Sequence, residues 1–421
     1  MSRTPGLKDA DLAALDDRLA DDDAARARAY PGDRVDRQPV HTVYVPADRF
    51  HPDLAAEWGA AALAALDKDA PAAEEMARAT GLDLDDVQAV WAGVLAKLGS
   101  EPIEDLRVDL EDGYGSRSDD EEDRHAVAAG EALAAAINAG TAPPFLGIRF
   151  KCLEGPTRRR GLRSLDLVLG ALLDQAPLPP GWVVTLPKVT STAQVGAMVD
   201  VCGRLERAYG LDAETLKFEI QVETSQAILL ADGRAAVAAM VHAAEGRCSG
   251  LHFGTYDYTA ALGIAGGYQA MDHPSADHAK AIMQLAAAGT GARVSDGSTN
   301  IIPVGARDAV HAAWALHTRL VRRSLERGFY QGWDLHPAQL PTRFLSTYLF
   351  FRADLDRIGA RLNAYIHGAE GGVMDEPATA QALAAFLLRG IHCSAVSADE
   401  VRSLTGAELD AVTALARPLS G

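Results

Sequence analysis

The stretch "KFEIQVETSQAIL", Lys217–Leu229, decides how this chain is read. As an extended strand it puts Phe218, Ile220 and Val222 on one face and Glu219, Gln221 and Glu223 on the other. A glutamate therefore closes a strand whose opposite face is wholly apolar, immediately before the helical "TSQAILLADGRAAVAAM". A strand running directly into a helix, with a polar residue at the junction, is the repeating unit of parallel βα architecture.

The same unit recurs on both sides. Short apolar strands are expected near Thr42–Val45, Leu106–Leu110, Phe145–Phe150, Val183–Leu186, Phe218–Val222, Gly250–Phe253, Ala292–Val294 and Gly332–Leu335, with helices such as "SLDLVLGALLDQ" between them. Eight strands separated by helices predict an α/β fold, a (β/α)8 TIM barrel. A doubly wound open sheet is the rival, because periodicity does not register closure. Residues 1–40 read as an N-terminal helical extension and 41–340 as the barrel. A helical insertion at 54–100, after strand 1, holds two amphipathic helices. Residues 341–421 read as a helical C-terminal segment.

Composition bounds the function. The chain has 421 residues, 48% hydrophobic and 23% charged, with a formal net charge of −18. That balance argues against a nucleic-acid partner. Much of the acid lies in "EPIEDLRVDLEDGYGSRSDDEEDR", which reads mostly as a solvated loop. Cys152, Cys202, Cys248 and Cys393 form no CxxC pair, which fits reduced thiols and gives no zinc framework. No signal-type apolar segment opens the chain and no run of about 18 apolar residues occurs, so a soluble cytoplasmic protein without a membrane partner is expected.

In a barrel of this kind chemistry gathers where strands end. The polar residues there are Asp109, Glu111 and Asp112 after strand 2, Arg149 after strand 3 and Lys188 after strand 4. Glu223 follows at strand 5, Asp257 beyond strand 6, Asp296 after strand 7, and Asp334 and His336 after strand 8. Glu223 and Asp257, on neighbouring strands, suit a hard divalent cation, since magnesium takes few protein oxygens and leaves positions for water and substrate. Arg149 offers a planar fork for a carboxylate. Each residue also has a structural reading taken singly: a helix cap for the acids, a solvated end for Lys188, a turn-packing role for His336. The order of the set along the chain favours chemistry next to a carbonyl.

These residues resemble the citrate lyase β-subunit-like family, related to the HpcH/HpaI aldolases and more distantly to malate synthases. The motifs "VYVPADRF", "VDLEDGYG", "GIRF", "LPK", "IQVETSQAIL", "GLHFGTYDYTAALG", "SDGS", "GWDLHPAQL" and "GGVMDEPATAQALAAFLL" stand in that family's order. The resemblance implies magnesium, with manganese as the substitute, held by Glu223 and Asp257. It implies that Arg149 grips the substrate, with Asp296 and His336 as further substrate contacts, and that Glu111 and Asp112 support the metal's water or Arg149. Asp375 matches the D-x-P acid/base; a malate synthase-like alignment shifts that role to Glu376. The implied partners are a small 2-oxo acid or an acyl-CoA, with coenzyme A as part of the substrate, and a homo-oligomer, trimer or hexamer. The basic stretch "PTRRRGLRS" either meets coenzyme A phosphates or pairs with the acids at Asp119–Asp123. The expected activity is a carbon–carbon lyase or aldolase working through a metal-stabilised enolate. Two alternatives stand beside it: a Schiff-base aldolase using Lys188, and an inactive barrel that serves as a binding protein.

Overall fold

The computed structural model describes residues 6–368 and 376–417. Its strands are β1 (His41–Pro46), β2 (Asp105–Asp109), β3 (Phe145–Arg149), β4 (Trp182–Leu186), β5 (Lys217–Val222), β6 (Cys248–Phe253), β7 (Arg293–Ser295) and β8 (Gly332–Asp334). All pair in parallel, in the order β7-β6-β5-β4-β3-β2-β1-β8. The ring closes where Ser295 bridges Gln331, where the Asp296 N–H donates to the Gln331 carbonyl at 2.9 Å, and where the Trp333 N–H donates to the Gly297 carbonyl at 3.1 Å. Closure excludes the open sheet and makes this a (β/α)8 barrel.

The helices are α1 (Asp9–Ala29), α2 (Leu54–Asp69), α3 (Ala73–Thr80), α4 (Leu84–Ser100), α5 (Asp119–Ala139), α6 (Arg158–Leu173), α7 (Thr192–Tyr209), α8 (Ser225–Ile228) and α9 (Ala236–Ala243). They continue with α10 (Thr255–Ala261), α11 (Pro274–Ala287), α12 (Arg307–Glu326), α13 (Leu340–Arg352), α14 (Leu355–His367), α15 (Pro377–His392), α16 (Ala398–Thr405) and α17 (Leu409–Ala416). Among the described residues none is long and apolar enough to cross a membrane.

The strands' two faces part as their alternation requires. Phe218, Ile220 and Val222 of β5 are fully buried in the core between sheet and helices. The inward face is polar. Thr42, Asp105, Arg107, Thr185, Glu219, Gln221 and His252 are all buried within the barrel, where bulky branched residues are the usual filling. The group is held by mutual bonds: Arg107 pairs with both Asp105 and Glu219, and the His252 Nε2 lies 3.0 Å from Glu219.

A second core lies outside the barrel. The helices inserted after β1 pack against α12 and the tail, with Leu66, Met76, Val87 and Val94 in one apolar cluster with Trp314 of α12 and Phe344, Leu387 and Val412 of the tail. The insertion holds three helices rather than the expected two. The extra one, α3, has eight residues, too few for periodicity to separate it from its neighbours.

One expectation about charge is corrected, and one choice between alternatives is resolved. The acidic run is not mainly a solvated loop: Asp105, Asp109 and Glu111 are buried, and Asp119–Glu122 form the first turn of α5, where carboxylates favour the helix dipole. The basic stretch opens α6, and its Arg160 and Arg163 both engage Asp123 of α5. The pairing alternative is the one observed.

Candidate active site

Glu223 leaves the carboxyl end of β5 facing inward, and it is 3% exposed. Its Oε1 accepts the N–H of Lys188 at 2.7 Å. Lys188 follows β4 through Pro187 and takes a left-handed backbone with φ 49°. That conformation costs a residue other than glycine of order 1–3 kcal/mol, so the surroundings must hold it there. The Lys188 ammonium donates to Glu111 Oε1 at 2.7 Å and to Asp112, and it lies 3.3 Å from Asp257 Oδ2.

β6 reaches the same place through Gly254. A Cβ on that residue would fall 2.4 Å from the Glu223 Cβ and 2.7 Å from its Oε2. Only glycine lets the chain turn beside Glu223 and start α10, whose first turn carries Asp257. Arg149, at the end of β3, forks onto Asp109 with Nε and Nη2 at 2.7 and 2.6 Å. Its Nη1 lies 3.7 Å from Glu111, and the guanidinium covers the Tyr44 ring at 4.5 Å. Asp109 is fixed in turn by the N–H groups of Glu111 and Gly113.

The electrostatics follow from that crowding. Burial is the main force pushing the Glu223 carboxyl up to about 8; Asp257 and Glu111 add to it, while Lys188 and Arg149 oppose. Burial works against the Lys188 ammonium, but Glu223, Asp112 and Glu111 outweigh it and drive the amine above its ordinary value. Burial, helped by Asp112, also raises Glu111.

Arg149, Lys188, Glu111, Asp112, Glu223 and Asp257 therefore meet at one end of the barrel. Asp296 is elsewhere in its bonding: its carboxylate takes the Lys280 ammonium at 3.0 Å on both oxygens, the Ser324 hydroxyl and the Gly297 N–H. His336 caps a short turn, its Nδ1 accepting the Ala338 N–H at 3.1 Å, and burial lowers its pKa. Asp334 faces outward onto His41, His317 and Arg343. Asp375 lies outside the described residues; Glu376 is exposed at the N-cap of α15. Reasoning from the sequence passed over Tyr44, the platform under Arg149. Its signal was an aromatic ring two residues from Thr42 along β1, on the inward face.

Among the described residues no three His, Cys, Asp or Glu side chains surround a common point for an ion. The residues that could hold magnesium are two hard-oxygen donors: Glu223, just after β5, with an oxygen not taken by the Lys188 N–H, and Asp257 on α10, where the Lys188 ammonium now lies 3.3 Å away.

A family model described as "Domain of unknown function (DUF6986)" matches residues 19–419. No curated protein matches the chain. Among solved structures, a citrate lyase from Burkholderia xenovorans LB400 is similar with TM-score 0.57 and 18% identity, over 90% of this chain and 99% of that one. A Haloferax volcanii malate synthase in a magnesium/glyoxylate complex has TM-score 0.49 and 15% identity, over 92% and 99%. CitE from Mycobacterium tuberculosis, in complex with magnesium, acetoacetate and coenzyme A, has TM-score 0.49 and 17% identity, over 86% and 100%. At such identities the likeness concerns the fold, and the Burkholderia barrel is of the type that the ordered motifs resemble.

Proposed function

The chain belongs to the DUF6986 family, and from its barrel mouth we propose that it is a magnesium-dependent carbon–carbon lyase or aldolase acting on a 2-oxo acid or a 3-hydroxyacyl-CoA type substrate. One observation carries this reading. Glu223 is buried beside Asp257, with its carboxyl raised to about 8 by burial and by its acidic neighbours, where a βα barrel builds its chemistry.

Glu223 and Asp257 would hold the metal. A magnesium ion bound there supplies a grip on neighbouring carboxylate and carbonyl oxygens and stabilises enolate charge. The remaining work falls to the chain. Arg149 is kept rigid by Asp109 and by the Tyr44 ring, which leaves Nη1 for a substrate carboxylate. Lys188 stays protonated, ties Glu111 and Asp112 together and presents positive charge to the mouth. Asp375 is assigned the proton transfer at carbon in the mouth of a neighbouring subunit. Asp296 and His336, bonded as they are, would serve the site by supporting its walls. Exposed Leu262, Tyr268, Ile301, Ile302 and Leu335, on loops after β6, β7 and β8, support self-association on that side.

The Schiff-base alternative needs a neutral amine. The raised Lys188 pKa disfavours it. The test is a thermal-shift and turnover assay with pyruvate, oxaloacetate and glyoxylate, with and without EDTA. Magnesium is expected to raise the melting temperature and support turnover. Glu223→Gln and Asp257→Asn are expected to lose both responses, while Asp375→Asn keeps the metal shift and loses rate. Full activity in EDTA, or a borohydride-trapped adduct at Lys188, would sink the proposal.

A further inference from the structure

The opposite, amino-terminal end of the barrel holds a feature that the mouth chemistry does not use. Cavities of about 450 Å³ and 320 Å³ adjoin there, and Arg34 and Arg293 line both. The larger lies between the segment before β1, the turn from α11 into β7, and helix α15. Its walls are cut back to alanine at Ala288, Ala382 and Ala385, which leaves the hollow. Its size is that of a small-molecule site.

The charged lining of the cavity leans positive, with three arginines to two aspartates. Arg34, Arg293, Arg389 and His392 line it, against Asp33 and Asp36. Asp36 is shared: Arg34 and Arg293 each reach it at 2.9 Å. Asp33 is spent on the Gly289 N–H at 2.9 Å. Among the described residues the Arg389 side chain makes no ion pair or hydrogen bond; its guanidinium lies 4.4 Å over the Tyr330 ring. Burial brings Arg293 down to about 10, with Arg34 and Arg389 adding to the effect and Asp36 opposing it. Burial likewise lowers His392, with Arg37, Arg293 and Arg389 adding. Partly buried like charges that repel one another favour a counter-charge between them.

We infer that this cavity binds a compact polyanion, a di- or tricarboxylate or a phosphate-bearing metabolite, between Arg34, Arg293 and Arg389. Guanidinium forks take carboxylate and phosphate oxygens two at a time. Tyr330 holds Arg389 flat and pre-aimed, which reduces the entropy lost on binding. The site lies at the end of the barrel away from Glu223 and stands independently of the proposed lyase chemistry.

Isothermal titration of the full chain, stripped of metal beforehand and exchanged into chelator-free buffer of constant ionic strength, tests it. Citrate and inorganic pyrophosphate are the probes, with acetate and chloride as monovalent controls. One of the polyanions is expected to bind saturably at one site per chain, and the tighter of the two tells carboxylate from phosphate chemistry. Arg389→Ala is expected to weaken that binding at least tenfold, Arg389→Lys less, and Glu223→Gln not at all. Should Arg389→Ala fail to fold, Arg34→Ala, whose side chain is 45% exposed, carries the same expectation. Binding of neither polyanion, equal binding of the controls, unchanged affinity in both arginine variants, or loss in Glu223→Gln would each overturn the inference.

Discussion

Glu219 lies in β5 and Glu223 directly follows it; they share an inward face and nearly equal burial, 2% and 3% exposed. Their surroundings move them in opposite directions. Burial alone would raise Glu219, but Arg107 and then His252 overcome it and hold the carboxyl below its ordinary value. Arg107 donates through two nitrogens, and Thr185 and Tyr44 add their hydroxyls. Glu223 receives one backbone N–H and faces two further acids, and it rises to about 8. Burial is therefore a poor guide to what a charged residue does. The number of donors is the better one, and a carboxylate left short of them marks where a ligand belongs.

The widest gap between the two should appear in stability. Glu219→Gln removes one of the two carboxylates that hold buried Arg107, together with the partner of His252, and is expected to cost about 3 kcal/mol. Glu223→Gln replaces a carboxyl that must take up a proton to fold at pH 7, so without metal it should keep stability or raise it, with a gain of at most on the order of a few kcal/mol. Urea unfolding of both variants measures the contrast, and equal losses would break it.

The pH dependence sharpens the same point. The folded Glu223 pKa lies above its unfolded value. Its contribution is full below about pH 4.5 and is lost as pH rises through about 8. Without metal, stability should fall by on the order of a few kcal/mol between pH 5 and 8 and stay flatter in Glu223→Gln. Glu219 behaves oppositely: its contribution is present above the ordinary carboxylate range and is lost only in acid. Because the metal must displace the Glu223 proton, magnesium affinity should climb by up to about tenfold per pH unit until pH 8 and then level. Calorimetric titrations at several pH values check this, and a flat affinity would contradict the raised carboxyl.

The smallest effect concerns the cation between the acids. Lys188→Met removes the charge that Glu111, Asp112 and Asp257 share. Metal-free stability is expected to drop by about 1 kcal/mol, and the magnesium-induced melting shift to exceed that of the unaltered chain. A smaller shift would mean that Lys188 helps to seat the metal rather than standing in for it.

Much of this was legible in the residues. All eight strands fall within a residue or two of their expected positions, because alternation shows wherever one face is apolar. The cluster at the mouth was legible because its members end successive strands. Asp296 shows where that rule stops. It too ends a strand, yet Lys280, from a helix 16 residues earlier in the chain, consumes its carboxylate, and no local pattern announces such a pairing. The polar barrel interior left a signal that was read only in part: Asp105, Arg107 and Asp109 alternate on β2 as Glu219, Gln221 and Glu223 do on β5. The pairing of one set with the other depends on closure, which periodicity does not record.

The helices inserted after β1 and the helices of the tail share one apolar cluster. On the ribosome, α4 is complete at Ser100, while its partner α13 begins only at Leu340. At ordinary elongation rates that interval lasts roughly 10–50 s. For that time the greasy sides of α2 and α4 wait uncovered beside a half-made barrel, which makes the nascent chain a client for holding chaperones and makes a late truncation more harmful to the beginning of the protein than to its middle.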